Sequence, residues 1–72
     1  MKLPKHRGNL YLVIRTMFNP AANCWTECTV GAFLTQEGAD SYAGACSQTF
    51  LDRGYSSDDF VFDVRLTAYY DE

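Results

Sequence analysis

Two stretches of this chain set their residues on alternate faces with a period of two, a third reads as extended, and a fourth repeats with the period of a helix. Residues 10–18, LYLVIRTMF, set Leu10, Leu12, Ile14 and Phe18 on one side and Tyr11, Val13, Arg15 and Met17 on the other, the signature of a strand. The turn-rich NPAAN of residues 19–23 follows, and residues 24–33 resume an extended pattern rich in Trp, Thr, Val and Phe, so a hairpin is predicted. Residues 36–54 form the one helical segment. There Ala39, Tyr42, Ala43, Cys46 and Phe50 make a single stripe. Thr35 stands at the N-cap, Glu37 and Asp40 lie where the helix dipole favours negative charge, and Gly54 suits a left-handed position after the last turn. Gly38 and Gly44 each cost on the order of 1 kcal/mol relative to Ala, so packing rather than propensity must hold the helix. The last strand alternates most strictly. Phe60, Phe62, Val64, Leu66 and Ala68 are expected inside, and Val61, Asp63, Arg65, Thr67 and Tyr69 outside.

The order β-β-α-β and the preference for short, right-handed connections predict an α+β fold. Its three-stranded antiparallel sheet has strand order 2-1-3, with the helix on one face. Pairing Phe18 with Cys24 sets Met17 beside Trp25, Arg15 beside Glu27, Val13 beside Thr29 and Tyr11 over Gly31, and leaves Leu10, Leu12 and Ile14 for the core. On that register the uncovered face carries Tyr11, Val13, Met17, Trp25 and Val61, an apolar set that marks an interface.

Length changes this picture little. Seventy-two residues make one domain near the size at which a core barely offsets chain entropy, with residues 1–8 expected as a flexible basic arm and residues 9–72 as the domain. Apolar residues are 47% of the chain and aromatic ones 15%, which excludes a chain disordered as a whole. Charge is more informative. The net value of −3 divides into four cations against one acid in residues 1–35 and eight acids against two cations in residues 36–72. The second half would repel nucleic acid and attract a basic protein surface.

Candidate chemistry is sparse. The only histidine, His6, lies in the basic arm, and no Ser or Cys sits in the context of an activated nucleophile, so no enzymatic activity is expected. Cys24, Cys28 and Cys46 are odd in number, which argues against a disulfide framework. Cys24 and Cys28 share a strand face but stand about 13 Å apart, and no zinc-knuckle spacing is present. The thiols are read as small buried hydrophobes, and no metal or cofactor is expected. Tyr11, Trp25, Tyr69, Arg15 and Arg65 could stack RNA bases, yet the two arginines are matched by Glu27 and Asp63, so direct nucleic-acid binding is not expected. No apolar run reaches membrane-spanning length, and a reduced, cytoplasmic setting is expected.

The remaining candidate surface is acidic. Asp58, Asp59, Asp63 and Asp71 are interleaved with Tyr69 and Tyr70. Carboxylates can stand where phosphates would, and rings supply contact area. In size and element order, and in the stretches LYLVIRTMF, TVGAFLTQEGADSYA and FDVRLTAYYDE, the chain resembles the very small accessory proteins of tailed bacteriophages. That resemblance implies a host- or defence-directed inhibitor, such as an anti-CRISPR protein, acting in the host cytoplasm on a protein with a basic surface. The competing expectation is a homodimeric structural or regulatory module that associates through the open sheet face.

Overall fold

The computed structural model describes residues 5–71, with side chains described for residues 8–68. Four elements follow one another: β1 (Lys5–Asn19), β2 (Cys24–Phe33), α1 (Gln36–Asp52) and β3 (Phe60–Asp71). They form the expected α+β arrangement, a three-stranded antiparallel sheet in the order β2-β1-β3 with α1 on one side. Strand β1 begins at Lys5 rather than Leu10. Residues 5–8 of the basic stretch therefore belong to the β1–β3 ladder, which runs as far as Lys5 opposite Asp71.

The hairpin turn is one residue shorter than expected, and the register follows from it. The Asn19 side-chain oxygen accepts from the Ala21 N–H at 3.1 Å, and Asn23 adopts a left-handed φ of 52°, both conformations that asparagine tolerates well. Cys24 thus pairs with Asn19, Trp25 with Phe18, Glu27 with Thr16 and Thr29 with Ile14. A bulge then shifts the ladder so that Val13 faces Gly31, leaving Val30 as the extra residue.

A slip of one residue exchanges the faces of a strand. Strand β3 decides which way β1 turns. Of its expected inward set Phe60, Phe62 and Val64 are buried or half-buried on the helix side, whereas Leu66 and Ala68 are exposed beyond the reach of the helix. The ladder places Met17, Arg15 and Val13 opposite Phe60, Phe62 and Val64. Val13 is fully buried in a cluster with Ala39 and Ala43, with Tyr11, Val30, Phe33, Phe62 and Val64 packed around it. Tyr11, Val13 and Met17 are therefore on the helix side and not on the open face. Leu10, Leu12, Ile14 and Phe18, expected in the core, face away from the helix. The reason lies in β1 itself, which is apolar on both sides, so that alternation alone could not choose.

Helix α1 crosses the sheet diagonally. At its start the Thr35 hydroxyl accepts from the Gly38 N–H at 3.1 Å, and Tyr42 stacks at an angle on Phe33 of β2, centroids 5.2 Å apart. Tyr42 and Phe33 also fill the space that a side chain at Gly31 would need, with ring carbons 3.2 and 2.9 Å from the position of a Cβ. At its end the Tyr55 N–H bonds the Phe50 carbonyl at 3.1 Å and the Gly54 N–H bonds Leu51 at 3.0 Å, with Gly54 at φ 92°. This is a Schellman closure, and its usual hydrophobic contact is present as the stacked Phe50 and Tyr55 rings, 4.8 Å apart. Phe50 meets Phe60 and Phe62 edge-on at 5.2 and 5.1 Å, which pins this end to β3. A 17-residue helix is about 25 Å long and covers only half of a 15-residue strand, so Leu66 on the same side stays 60% exposed.

Candidate protein-binding face

The uncovered side of the sheet is lined along its centre by Leu10, Leu12, Ile14, Thr16 and Phe18, flanked by Trp25, Glu27 and Thr29 of β2 and by Val61, Asp63 and Arg65 of β3. Among the described residues no second layer lies on it, yet Ile14 is only 6% exposed. Its cover is an ion pair. The Arg65 guanidinium donates to both Glu27 oxygens, at 2.9 and 3.2 Å. Arg65 stands opposite Leu12 and Glu27 opposite Thr16, so the pair crosses β1 diagonally at the level of Ile14. The hydrogen bond and charge of Arg65 hold the Glu27 carboxyl below its ordinary value, and Glu27 in turn raises Arg65. The partner expected for Glu27 was Arg15, which the register has placed on the other side of the sheet.

The ion pair divides the open face. On the turn side of it lies a cluster of large apolar side chains: Phe18 and Trp25, with centroids 5.6 Å apart, and Val61 on the neighbouring strand. Trp25 and Val61 are 51% and 50% exposed. The Met17 to Trp25 contact expected from sequence is replaced by this Phe18 to Trp25 pair.

The acidic loop reaches the same end. The Phe18 N–H donates to the Asp59 carbonyl at 3.0 Å, while Asp59 and Asp58 close a turn on the Ser56 carbonyl and hydroxyl. Asp63 stands on the open face opposite Ile14. All three acids are exposed, and Arg65, already shared with Glu27, is the cation that Asp63 feels. Two sets that sequence reading offered as separate surfaces, the acids and the open-face aromatics, thus form one edge-to-centre patch. Of the other expected contact residues, Tyr69, Tyr70 and Asp71 continue β3, but their side chains lie outside the described residues.

Phe18 and the Leu10, Leu12, Ile14 row were missed as face residues. Asn19 and Asn23 were the signal that could have found them, since two asparagines framing a four-residue loop suit an Asx turn and a left-handed exit. Cys24 and Cys28 are exposed and Cys46 half-buried, all three free, so the first two are not buried thiols as expected. Among the described residues no three or more His, Cys, Asp or Glu side chains gather as a metal site, and no helix is long and apolar enough to cross a membrane. In comparisons with known proteins the chain matches no family model, no curated protein and no solved structure.

Proposed function

We propose that this chain is a non-enzymatic binding protein that occludes a basic, partly apolar surface of a partner protein with the open face of its sheet. The observation that carries the reading is the convergence of Phe18, Trp25 and Val61 with Asp58, Asp59 and Asp63 at one end of that face. Exposed aromatic anchors supply the binding hot spot, and a surplus of carboxylates steers a cationic partner while repelling nucleic acid. The most apolar row of the chain is left without a second layer, a local conflict of the kind kept at working surfaces. The resemblance to phage accessory proteins supports a host or defence protein that ordinarily holds nucleic acid as the partner class.

A second reading is favoured by surface area. The chain exposes 5415 Å², whereas a compact protein of 8.1 kDa exposes about 4,500 Å². The excess is close to what one side of a standard interface buries, about 800 Å². A second copy stacked on the open face would bury an area of that order.

One set of variants decides between them. Trp25→Ala, Val61→Asp and the triple change of Asp58, Asp59 and Asp63 to Asn are compared with Leu66→Asp on the helix side, in crosslinked pulldowns from host lysate and in light scattering. Under occlusion, the wild-type chain is a concentration-independent monomer. A prey that nucleic acid displaces is then lost with all three face variants and kept with Leu66→Asp. A stable dimer broken by Val61→Asp supports self-association instead. Equal prey with every variant refutes the assignment of the face.

A further inference from the structure

On the helix side, where α1 leaves β2 to lie over β3, the two layers part and enclose an open groove of about 350 Å³. Arg15, Val30 and Phe62 form its floor, and Tyr42, Ala45, Cys46, Thr49 and Phe50 come from the helix. The volume is within the range of small-molecule sites, at its lower end. Its origin is in the sequence. The helix residues facing this stretch, Ala45 and Cys46, are too small to fill it, while the aromatic anchor Phe50 draws the helix toward β3.

The groove holds a cation, Arg15, that no hydrogen bond or ion pair meets among the described residues. Arg15 pairs across the sheet with Cys28 and Phe62. No carboxylate lines the groove, and two acids of the neighbouring elements are engaged elsewhere. Glu27 is held by Arg65 on the opposite face, and Asp52 accepts from the Gln48 amide at 2.8 Å. Arg15 is half-buried at the mouth of the groove, and its guanidinium stays open to water and so to an incoming anion. The remaining polar atoms around it are neutral: the Tyr42 hydroxyl, which donates to the Val30 carbonyl at 3.5 Å, the Cys46 thiol, and the Thr49 hydroxyl, which donates to the Ala45 carbonyl at 2.9 Å. Cys46 raises the Tyr42 phenol above its ordinary value, by hydrogen bond first and charge second.

We propose that this groove binds a small anionic amphiphile, a medium-chain or single-ring carboxylic acid. Its carboxylate meets the Arg15 guanidinium, whose planar fork suits a carboxylate, and its apolar body lies on Val30, Phe50 and Phe62. The site is separate from the open face, because Arg15 and Trp25 are on opposite sides of the sheet.

The test uses octanoate and octanol, which share a chain and differ in the charged head, in an amide chemical-shift titration of the full chain. Octanoate is expected to bind saturably, with shifts centred on Arg15, Val30, Cys46 and Thr49, and at least tenfold more tightly than octanol. Arg15→Met keeps the stem of the side chain and removes the cation. It should lower octanoate affinity tenfold or more and leave octanol binding and the melting temperature nearly unchanged. Ala45→Phe fills the groove and should abolish both, with the far-UV spectrum intact. Equal binding of the two ligands, octanoate binding indifferent to Arg15→Met, shifts confined to Phe18, Trp25 and Val61, or no saturation in the millimolar range would each overturn the proposal.

Discussion

Replacing Val13 with Ala, and separately Leu12 with Ala, tests which side of β1 carries the core. Val13 has no exposed surface and touches Ala39 and Ala43, which are themselves buried. Removing two methyl groups there loses about 0.8 kcal/mol of transfer energy for each, and the small helix residues cannot expand into the space, so roughly 2–3 kcal/mol is expected in all. A 72-residue domain has a stability of roughly 4–11 kcal/mol, so the loss is a large part of the whole. It corresponds to a fall of roughly 8–24 °C in melting temperature. Leu12 is half-buried on the open face, with no layer to leave a cavity in, and its truncation should cost about 1 kcal/mol. Thermal and urea melts followed by far-UV circular dichroism measure both. Trp25 fluorescence serves poorly, because that ring is already half in solvent. If Leu12→Ala proves the more damaging change, Leu12 is the residue against the helix, and the register that places Val13 there is wrong.

Two further outcomes follow from the cap and the ion pair. Thr35→Ala removes the acceptor of the Gly38 N–H and should lower stability by about 1 kcal/mol, whereas Thr35→Ser should cost little; equal losses would show that the hydroxyl is not the source. For the Arg65–Glu27 pair the sign is set by the carboxyl, which is held below its ordinary value of 4.5. Its contribution is present above that value and lost as pH falls through the lowered one. Melting temperatures of the wild type and Glu27→Gln should therefore differ at neutral pH and converge on acidification. A gap that widens toward low pH would contradict the pairing.

The strands, the helix and their order were legible because β3 and α1 each carry one unambiguous period. In β3 every outward position from Asp63 to Thr67 is polar, so its burial has a single solution. The helix ends were equally legible, since Thr35 and Gly54 do by local geometry what their chemistry allows. Strand β1 was not. Leu10, Leu12 and Ile14 are as apolar as Tyr11, Val13 and Met17, so its facing depends on a long-range pairing with β3 and on a turn one residue shorter than the first break in alternation suggests. The same ambiguity misassigned Arg15. Opposite charges at a plausible spacing made Glu27 its partner, whereas the diagonal reach of Arg65 across β1 is a tertiary fact that no local pattern contains. The meeting of Asp59 with Phe18 also joins residues distant in sequence through one backbone hydrogen bond.

A strand apolar on both sides and central in its sheet has a kinetic consequence. The β1–β2 hairpin is local and closes in about 1–10 μs, but the second edge of β1 is satisfied only when β3 returns across the whole of β2, α1 and their connections, a non-local step that is slower. In that interval the run 10–18 presents an unpaired edge of high β-propensity, the kind of segment that templates aggregation. Arg15 is the only charge between Gly8 and Glu27 and interrupts that run near its middle, the position of a gatekeeper. The residue that gives the groove its cation in the folded protein thus guards the half-folded hairpin against pairing with its own copies.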